Sequence, residues 1–198
     1  MLYRQHIVEM VAPHCDIVRR LADVPSSACV RGVYFRSALE ELSRRGLRGP
    51  FQEVVRETER SIFTLYPAAD YLLWIAFAGA LVASPARVHE GMLDLSRANA
   101  VYYGQSLLGR SLLRLLSRDP IRQLHQGIQS KRAVTNYGRW RMIEEGSRHA
   151  IIRLEDEYVW IESALLGGAL GGLDCCGIHP TAEVLLRDPY NGDLIFRW

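Results

Sequence analysis

The sequence predicts an α+β fold: a helical N-terminal two thirds, followed by an antiparallel strand–strand–helix–strand–strand unit. Three observations predict it. From Val30 to about Ala133 apolar residues recur at helical spacing. After Asn136-Tyr137-Gly138 the pattern changes to short apolar runs bounded by turn residues. The last two runs flank Asn191-Gly192, the strongest short hairpin signal, because both central positions of that turn need positive φ. Helices gathered ahead of a small sheet with one packed helix make the α+β layout.

Residues 1–25 read as an N-terminal extension, with Asp16–Val24 as a short strand closed by Pro25, and residues 26–198 as one domain. Ser26 or Ser27 caps the first helix, whose apolar positions are 30, 34, 35, 38, 39 and 42. Glu40 and Glu41 precede Arg44 and Arg45 there, and Gly46 sits where a C-terminal glycine belongs. Gly49-Pro50 break the chain, and Phe51–Leu65 resumes helical spacing until Pro67. Ala68–Ala83 is a wholly apolar helix. Ser84-Pro85 starts another, with proline at the first helical position, running through Val88, Met92, Leu95 and Ala98 to about Tyr103. Leu107, Leu108, Leu112, Leu115 and Leu116 make a further amphipathic face, and Asp119-Pro120 restarts a helix to about Ala133. Then come strands RWRMIEE and HAIIRLED around the turn Glu145-Gly146-Ser147, and a helix from Tyr158 to Cys175 ended by Gly177. TAEVLLRDP and DLIFRW form the closing hairpin.

Composition narrows the function classes. Apolar residues make up 48% and charged residues 23%, ordinary for a globular chain able to bury a core. Basic and acidic residues number 24 and 22, so no global charge steers the chain to nucleic acid or membrane. Lys131 is the sole lysine among 23 arginines, a skew that reads as coding bias. Residues 110–153 carry ten basic and three acidic side chains, the sharpest charge asymmetry present. The first 16 residues hold no continuous apolar core of a signal peptide. Tyr71–Ala83, the longest apolar run, falls short of the ~20 residues that span a bilayer. Four cysteines, two of them adjacent, lack the density of a disulfide scaffold. The expectation is a cytoplasmic protein with reduced thiols and no membrane span.

The stretches VPSSACVRGVYFRSALEELSRRG and EGMLDLSRANAVYYGQSLLGRSLLRLLSRDP, with the hairpin ending at Trp198, resemble an uncharacterised multi-paralogue family of myxobacterial proteins from about Val24 onward. The element order is similar to a wider fold group: the haem-based H-NOX gas-sensor domains, the V4R small-molecule-binding domains and the Bet3-like subunits of the TRAPP tethering complex. The resemblance implies a sensory or adaptor module and says little about chemistry.

Haem needs an axial ligand, usually histidine, and His125 lies on a helix roughly where the haem sensors carry theirs. Their downstream Tyr-x-Ser-x-Arg clamp is absent, since HAIIRLEDE offers only Arg153. Haem is therefore the weaker alternative, and no cofactor or metal is expected. Cys175 and Cys176, with His179 nearby, read as structural thiols more readily than as a metal or redox site, because the C-x-x-C spacing is missing. Gly167, Gly168, Gly171 and Gly172 inside a helix need a reason, which is close packing on the sheet or on a second subunit, or a pocket floor. Arg110, Arg114, Arg118 and Arg122 form a stripe for an anion or an acidic partner, or a solvated helix face. Tyr102, Tyr103, Trp140, Tyr158 and Trp160 are candidates to line a cleft between helices and sheet, or to fill a core. Glu155, Asp156 and Glu157 are adjacent, so they point different ways and form no catalytic pair. Neither a nucleophile elbow, a zinc-protease motif nor a Walker loop occurs. The reading is a non-enzymatic sensory or adaptor domain in signalling that binds a hydrophobic small molecule, a protein partner, or both. A homodimeric scaffold without ligand is the alternative. No recognition helix or aromatic RNA-binding signature accompanies the charge, so sequence-specific nucleic-acid binding is not expected.

Overall fold

In the computed structural model, which describes residues 2–56, 59–105 and 119–198, the apolar run forms helix α5 (Ala68–Val82). Eleven of its residues, from Ala68 to Ala80, are buried, so it is apolar all round because every face meets protein. Around it pack α1 (Leu2–Val11), α2 (Ile17–Asp23), α3 (Val33–Arg44) and α4 (Arg48–Val54). Phe35, Phe51, Tyr71, Trp74 and Phe77 meet there edge-to-face or tilted, with ring centroids 4.8 to 5.3 Å apart. Burying each such side chain is worth roughly 1.5–3 kcal/mol over leaving it in water. A two-stranded antiparallel sheet, β1 (Cys29–Arg31) and β2 (Leu65–Pro67), closes one end. Asn136 ties the chain back to it, accepting from the Cys29 N–H at 2.7 Å and donating to the Ser27 carbonyl at 2.8 Å.

A turn of 3₁₀ helix, Pro85–Arg87, leads into α6 (Val88–Gln105). Helices α5 and α6 touch backbone to backbone at Gly79 and Gly91. A Cβ on Gly91 would overlap the Gly79 carbonyl, and one on Gly79 would lie 2.7 Å from the Met92 side chain. After α7 (Pro120–Val134) come β3 (Arg139–Gly146), β4 (His149–Glu155), α8 (Leu166–Cys175), β5 (Thr181–Asp188) and β6 (Asn191–Arg197). The four strands form an antiparallel sheet ordered β3-β4-β6-β5. Its inner face buries Ala150, Ile152 and Leu154 against Phe196, Leu194 and Gly192 in register. Packing divides the chain into two compact units: Met1–Leu95 with Val134–Asn136, and Ser96–Ala133 with Tyr137–Trp198.

The α+β class and the strand–strand–helix–strand–strand order therefore hold. Several boundaries move. Asp16–Val24 is helical (α2) rather than a strand, anchored by buried Arg20 donating to Asp16 at 2.8 Å. Ser26 and Ser27 cap nothing: Cys29–Arg31 pairs with β2, and α3 starts only after Gly32. Gly49-Pro50 do not break the chain but sit in the first turn of α4, where backbone N–H groups have no helical partner to lose. That helix stops at Val54, far short of Leu65. The first sheet hairpin turns at Ser147-Arg148, two residues past Glu145.

The closing hairpin is also displaced. Asp188 pairs with Asn191, so Pro189-Tyr190 make the turn, and Asn191-Gly192 lie in β6 without positive φ. Asp188 fixes this by accepting from the Tyr190 N–H at 2.8 Å and from the Asn191 side chain at 2.9 Å. A side-chain turn of this kind competes with the Asn-Gly turn and wins. The helix between the two strand pairs begins late, with a turn of π-helix at Ile161–Leu165, instead of at Tyr158. Gly177, at φ 74°, ends it as expected. The amphipathic face over Leu107–Leu116 lies outside the described residues.

The α5–α6 contact generates a test. Gly91→Ala forces the two backbones apart and destabilises the fold by about 1–3 kcal/mol, the usual cost of overpacking, read as a lower urea midpoint.

Candidate functional site at Lys131 and Glu157

The sole lysine of the chain is 4% exposed, and its partner Glu157 is fully buried. Lys131 comes from the last turn of α7 and places Nζ 2.5 Å from Glu157 Oε1. Trp140, on β3, donates Nε1–H to the same oxygen at 2.6 Å. Nζ also lies 4.4 Å from the Tyr137 ring centroid and 5.5 Å from that of Trp140, within cation–π range. Glu157 Oε2 is buried with no hydrogen-bond partner among the described residues.

Local backbone geometry aims the carboxylate inward. Asp156 takes φ 56°, a left-handed conformation that Asp tolerates better than most residues, and so turns the chain at the end of β4. The turn is pinned from the closing hairpin: the Asp156 N–H donates to Asn191 Oδ1 at 3.1 Å, and the Glu157 N–H to the Tyr190 carbonyl at 2.9 Å. On the other side stands Gly138, at φ 73°, where any Cβ would overlap the carboxylate. Tyr137, Tyr158 and Tyr190, all half-buried, form a row of mutually tilted rings with successive centroids 5.5 Å apart.

Burial pushes the Glu157 carboxyl above the usual carboxylate range, against the pull of the Lys131 ammonium and the indole. Burial likewise holds the Lys131 ammonium below the usual lysine range, against the pull of Glu157. The site thus holds a buried carboxylate oxygen that no hydrogen bond among the described residues satisfies.

Of the residues singled out in the sequence, the structure brings Trp140 and Tyr158 to this site. Trp160 is fully buried nearby in the chain as ordinary core. Tyr102 and Tyr103 fall on α6, and their side chains lie outside the described residues, as do Arg110, Arg114 and Arg118. Arg122 is exposed and 3.5 Å from Asp119, whose carboxylate caps α7 by accepting from the Ile121 N–H at 2.9 Å. Among the four glycines, Gly171 faces a close helix crossing: its Cβ would overlap the Arg97 carbonyl of α6, so the tight contact is with α6 rather than the sheet. That crossing is locked by Arg97 donating to both oxygens of Asp174 at 2.6 and 2.9 Å. Gly168 faces open space, Gly172 has ordinary contact with Gln123, and Gly167 is buried in α8. Cys176 is buried, and Cys175 donates Sγ–H weakly to the Ala100 carbonyl at 3.5 Å. His179 contacts Asp174 at 2.8 Å. Among the described residues no group of three or more His, Cys, Asp or Glu is placed to hold a metal ion.

Lys131 and Glu157 were the residues sequence reasoning missed as a site. The signal was the single lysine in an arginine-rich chain, which an exposed coding-biased position does not explain. The three adjacent acids do part company, as their spacing requires: Glu155 pairs with Arg141, Asp156 with Arg139, and Glu157 alone turns inward.

Haem does not fit these residues. His125 is half-exposed on α7 and bound to Glu145 at 2.7 Å, and none of the six histidines is buried. Arg153, the one cation in the region of the missing clamp, is committed to both oxygens of Asp193 at 2.9 Å.

A family model described as a protein of unknown function (DUF2378) matches residues 24–198. Among curated proteins none matches the chain. Crystal structures of the H-NOX protein from K. algicida, described as Fe(II) unliganded, are similar at 14% identity over 84% of this chain and 95% of theirs. Their TM-scores are 0.62, and 0.64 for a single-substitution variant. A variant of the T. Tengcongensis H-NOX matches at TM-score 0.54 and 14% identity, over 84% of this chain and 96% of that one. The chain therefore has an H-NOX-like fold. No single described helix is long and apolar enough to cross a membrane.

The buried pair yields a second test. Lys131→Met strands the buried carboxylate and costs about 3–5 kcal/mol, whereas the double variant K131M/E157Q costs less than either single change. The pH dependence has a defined sign. Glu157 contributes fully below the usual carboxylate range, and this is lost as pH rises through its raised pKa. Lys131 contributes fully above the usual lysine range, and this is lost as pH falls through its lowered pKa. Wild-type stability minus that of K131M/E157Q is therefore smallest between the two values and rises on both sides, as urea unfolding across the pH range will show.

Proposed function

The chain belongs to the DUF2378 family, of unknown function, and from that premise we propose that it is a sensory or adaptor domain in signalling that works by binding and performs no chemistry of its own. The H-NOX-like fold supports the sensor reading. The observation that carries it to a ligand is Glu157 Oε2, a buried oxygen with no hydrogen-bond partner among the described residues, on a carboxylate that binds Trp140 and lies next in the chain to Tyr158 of the Tyr137–Tyr158–Tyr190 row. A mostly apolar molecule with one hydroxyl or amine group matches those groups: rings for its body, Oε2 for its donor. Haem is not part of this reading, because His125 and Arg153 are spent on other partners. Ligand occupancy would alter the α7–β3–hairpin junction, which is the surface offered to a downstream protein.

Native against denaturing mass spectrometry of freshly purified protein tests this, with an absorption spectrum alongside. The expected result is a non-covalent mass on the wild type, lost on denaturation and lost from Glu157→Gln and Tyr158→Leu proteins that keep their circular dichroism, with no Soret band. A bare wild-type chain, or an added mass carried equally by both variants, would overturn the ligand reading.

A further inference from the structure

We propose that Lys131 sets the specificity of the Glu157 site: from within the chain it fills an ammonium position built by Glu157, Tyr137 and Trp140, so that the site refuses cationic amines and takes its donor from a neutral molecule such as an alcohol. The neutral-donor part rests on the ligand reading above; the ammonium position does not.

A carboxylate together with the faces of aromatic rings is the group set that recognises an alkylammonium. Here that set surrounds a lysine. Nζ lies 2.5 Å from Glu157 Oε1, 4.4 Å from the Tyr137 centroid and 5.5 Å from the Trp140 centroid. With the carboxylate fully buried and the lysine 4% exposed, this is a desolvated cation site rather than a surface pair. The cation is tethered through α7, whose Leu124 and Ile128 are buried on the same side as Lys131. Cutting the lysine back to alanine would leave a space with the shape of n-propylammonium and the charge of an unpaired carboxylate.

The two oxygens of Glu157 have different duties. Oε1 accepts from both Lys131 and the Trp140 indole, and the Gly138 backbone crowds it so closely that no Cβ would fit. Oε2 is the oxygen left for a donor from outside. The charge around it is already balanced, one buried ammonium to one buried carboxylate. The two preceding acids are spent elsewhere, Glu155 on Arg141 and Asp156 on Arg139. A second ammonium, on Oε2, would share one negative charge with Lys131 and leave a positive charge out of water without a counterion, a penalty that a hydrogen bond does not offset. A neutral hydroxyl donates to Oε2 and brings no charge with it.

Urea unfolding with n-propylamine, against n-propanol and sodium chloride at matched concentration, tests the ammonium position. At ten times its dissociation constant, propylammonium should shift the unfolding equilibrium of Lys131→Ala toward the folded state by about tenfold. Propanol should not do so, and neither wild type, whose position is filled, nor the double variant K131A/E157Q should respond to the amine. Should K131A fail to fold unaided, its refolding yield from urea with and without the amine gives the same reading. Equal effects of propylamine and propanol on K131A, or a wild type that gains as much from the amine as K131A does, would overturn the assignment. The small molecules released from denatured wild-type protein test the exclusion, and a neutral hydroxyl compound is expected. A cationic amine among them overturns the exclusion and leaves the ligand reading standing. A bare wild-type chain ends the ligand reading and the neutral-donor claim together, whereas the ammonium position stands or falls on propylamine alone.

Discussion

A carboxylate shut away from water governs the architecture around it. Taking one charge out of water costs several kcal/mol unless the partners are well placed, and each neighbouring element supplies one part of the answer for Glu157. The end of β4 supplies the left-handed residue that turns it inward, and the entry to β3 supplies a glycine with no Cβ to collide. α7 provides the ammonium, β3 an indole N–H, and the β5–β6 turn the backbone oxygen that holds the segment in place. Helix, sheet and closing hairpin are thereby committed to one another through a single side chain. The only strained backbone at a non-glycine residue among the described ones, Asp156, sits where that commitment is made.

Local signals carried the helices and the sheet order, while pairings between distant residues set the corrections. An unbroken apolar run reads as α5 whatever surrounds it, and glycines at 46 and 177 end their segments in the left-handed conformation that only their lack of a Cβ makes cheap. The three-residue strands β1 and β2 have no such signature. Cys29–Arg31 is extended because Leu65–Pro67 and Asn136 reach it from elsewhere in the chain. The closing hairpin shows a contest between two local signals. Asn-Gly marks the right place, but Asp188 builds its own turn first and moves the reversal by two residues.

The site was legible in pieces. Trp140 and Tyr158 were visible as aromatics in the C-terminal unit, and the divergence of Glu155, Asp156 and Glu157 followed from their adjacency. Their common focus was not visible, because Lys131 and Glu157 are brought together only by the packing of a helix on a strand end. His125, the residue most like a ligand by position, is instead spent on a surface carboxylate. The H-NOX likeness at 14% identity is of the same kind: it fixes a backbone path and leaves the interior chemistry to be set by residues such as these.

One consequence of the buried lysine is chemical. The chain owns a single ε-amino group, and the fold conceals it behind tyrosine and tryptophan rings. Acylating reagents that decorate most proteins at many surface lysines find no lysine target on this one until α7 parts from the sheet. Covalent labelling of Lys131 is therefore a built-in clock for that local opening, free of background from any other lysine in the molecule.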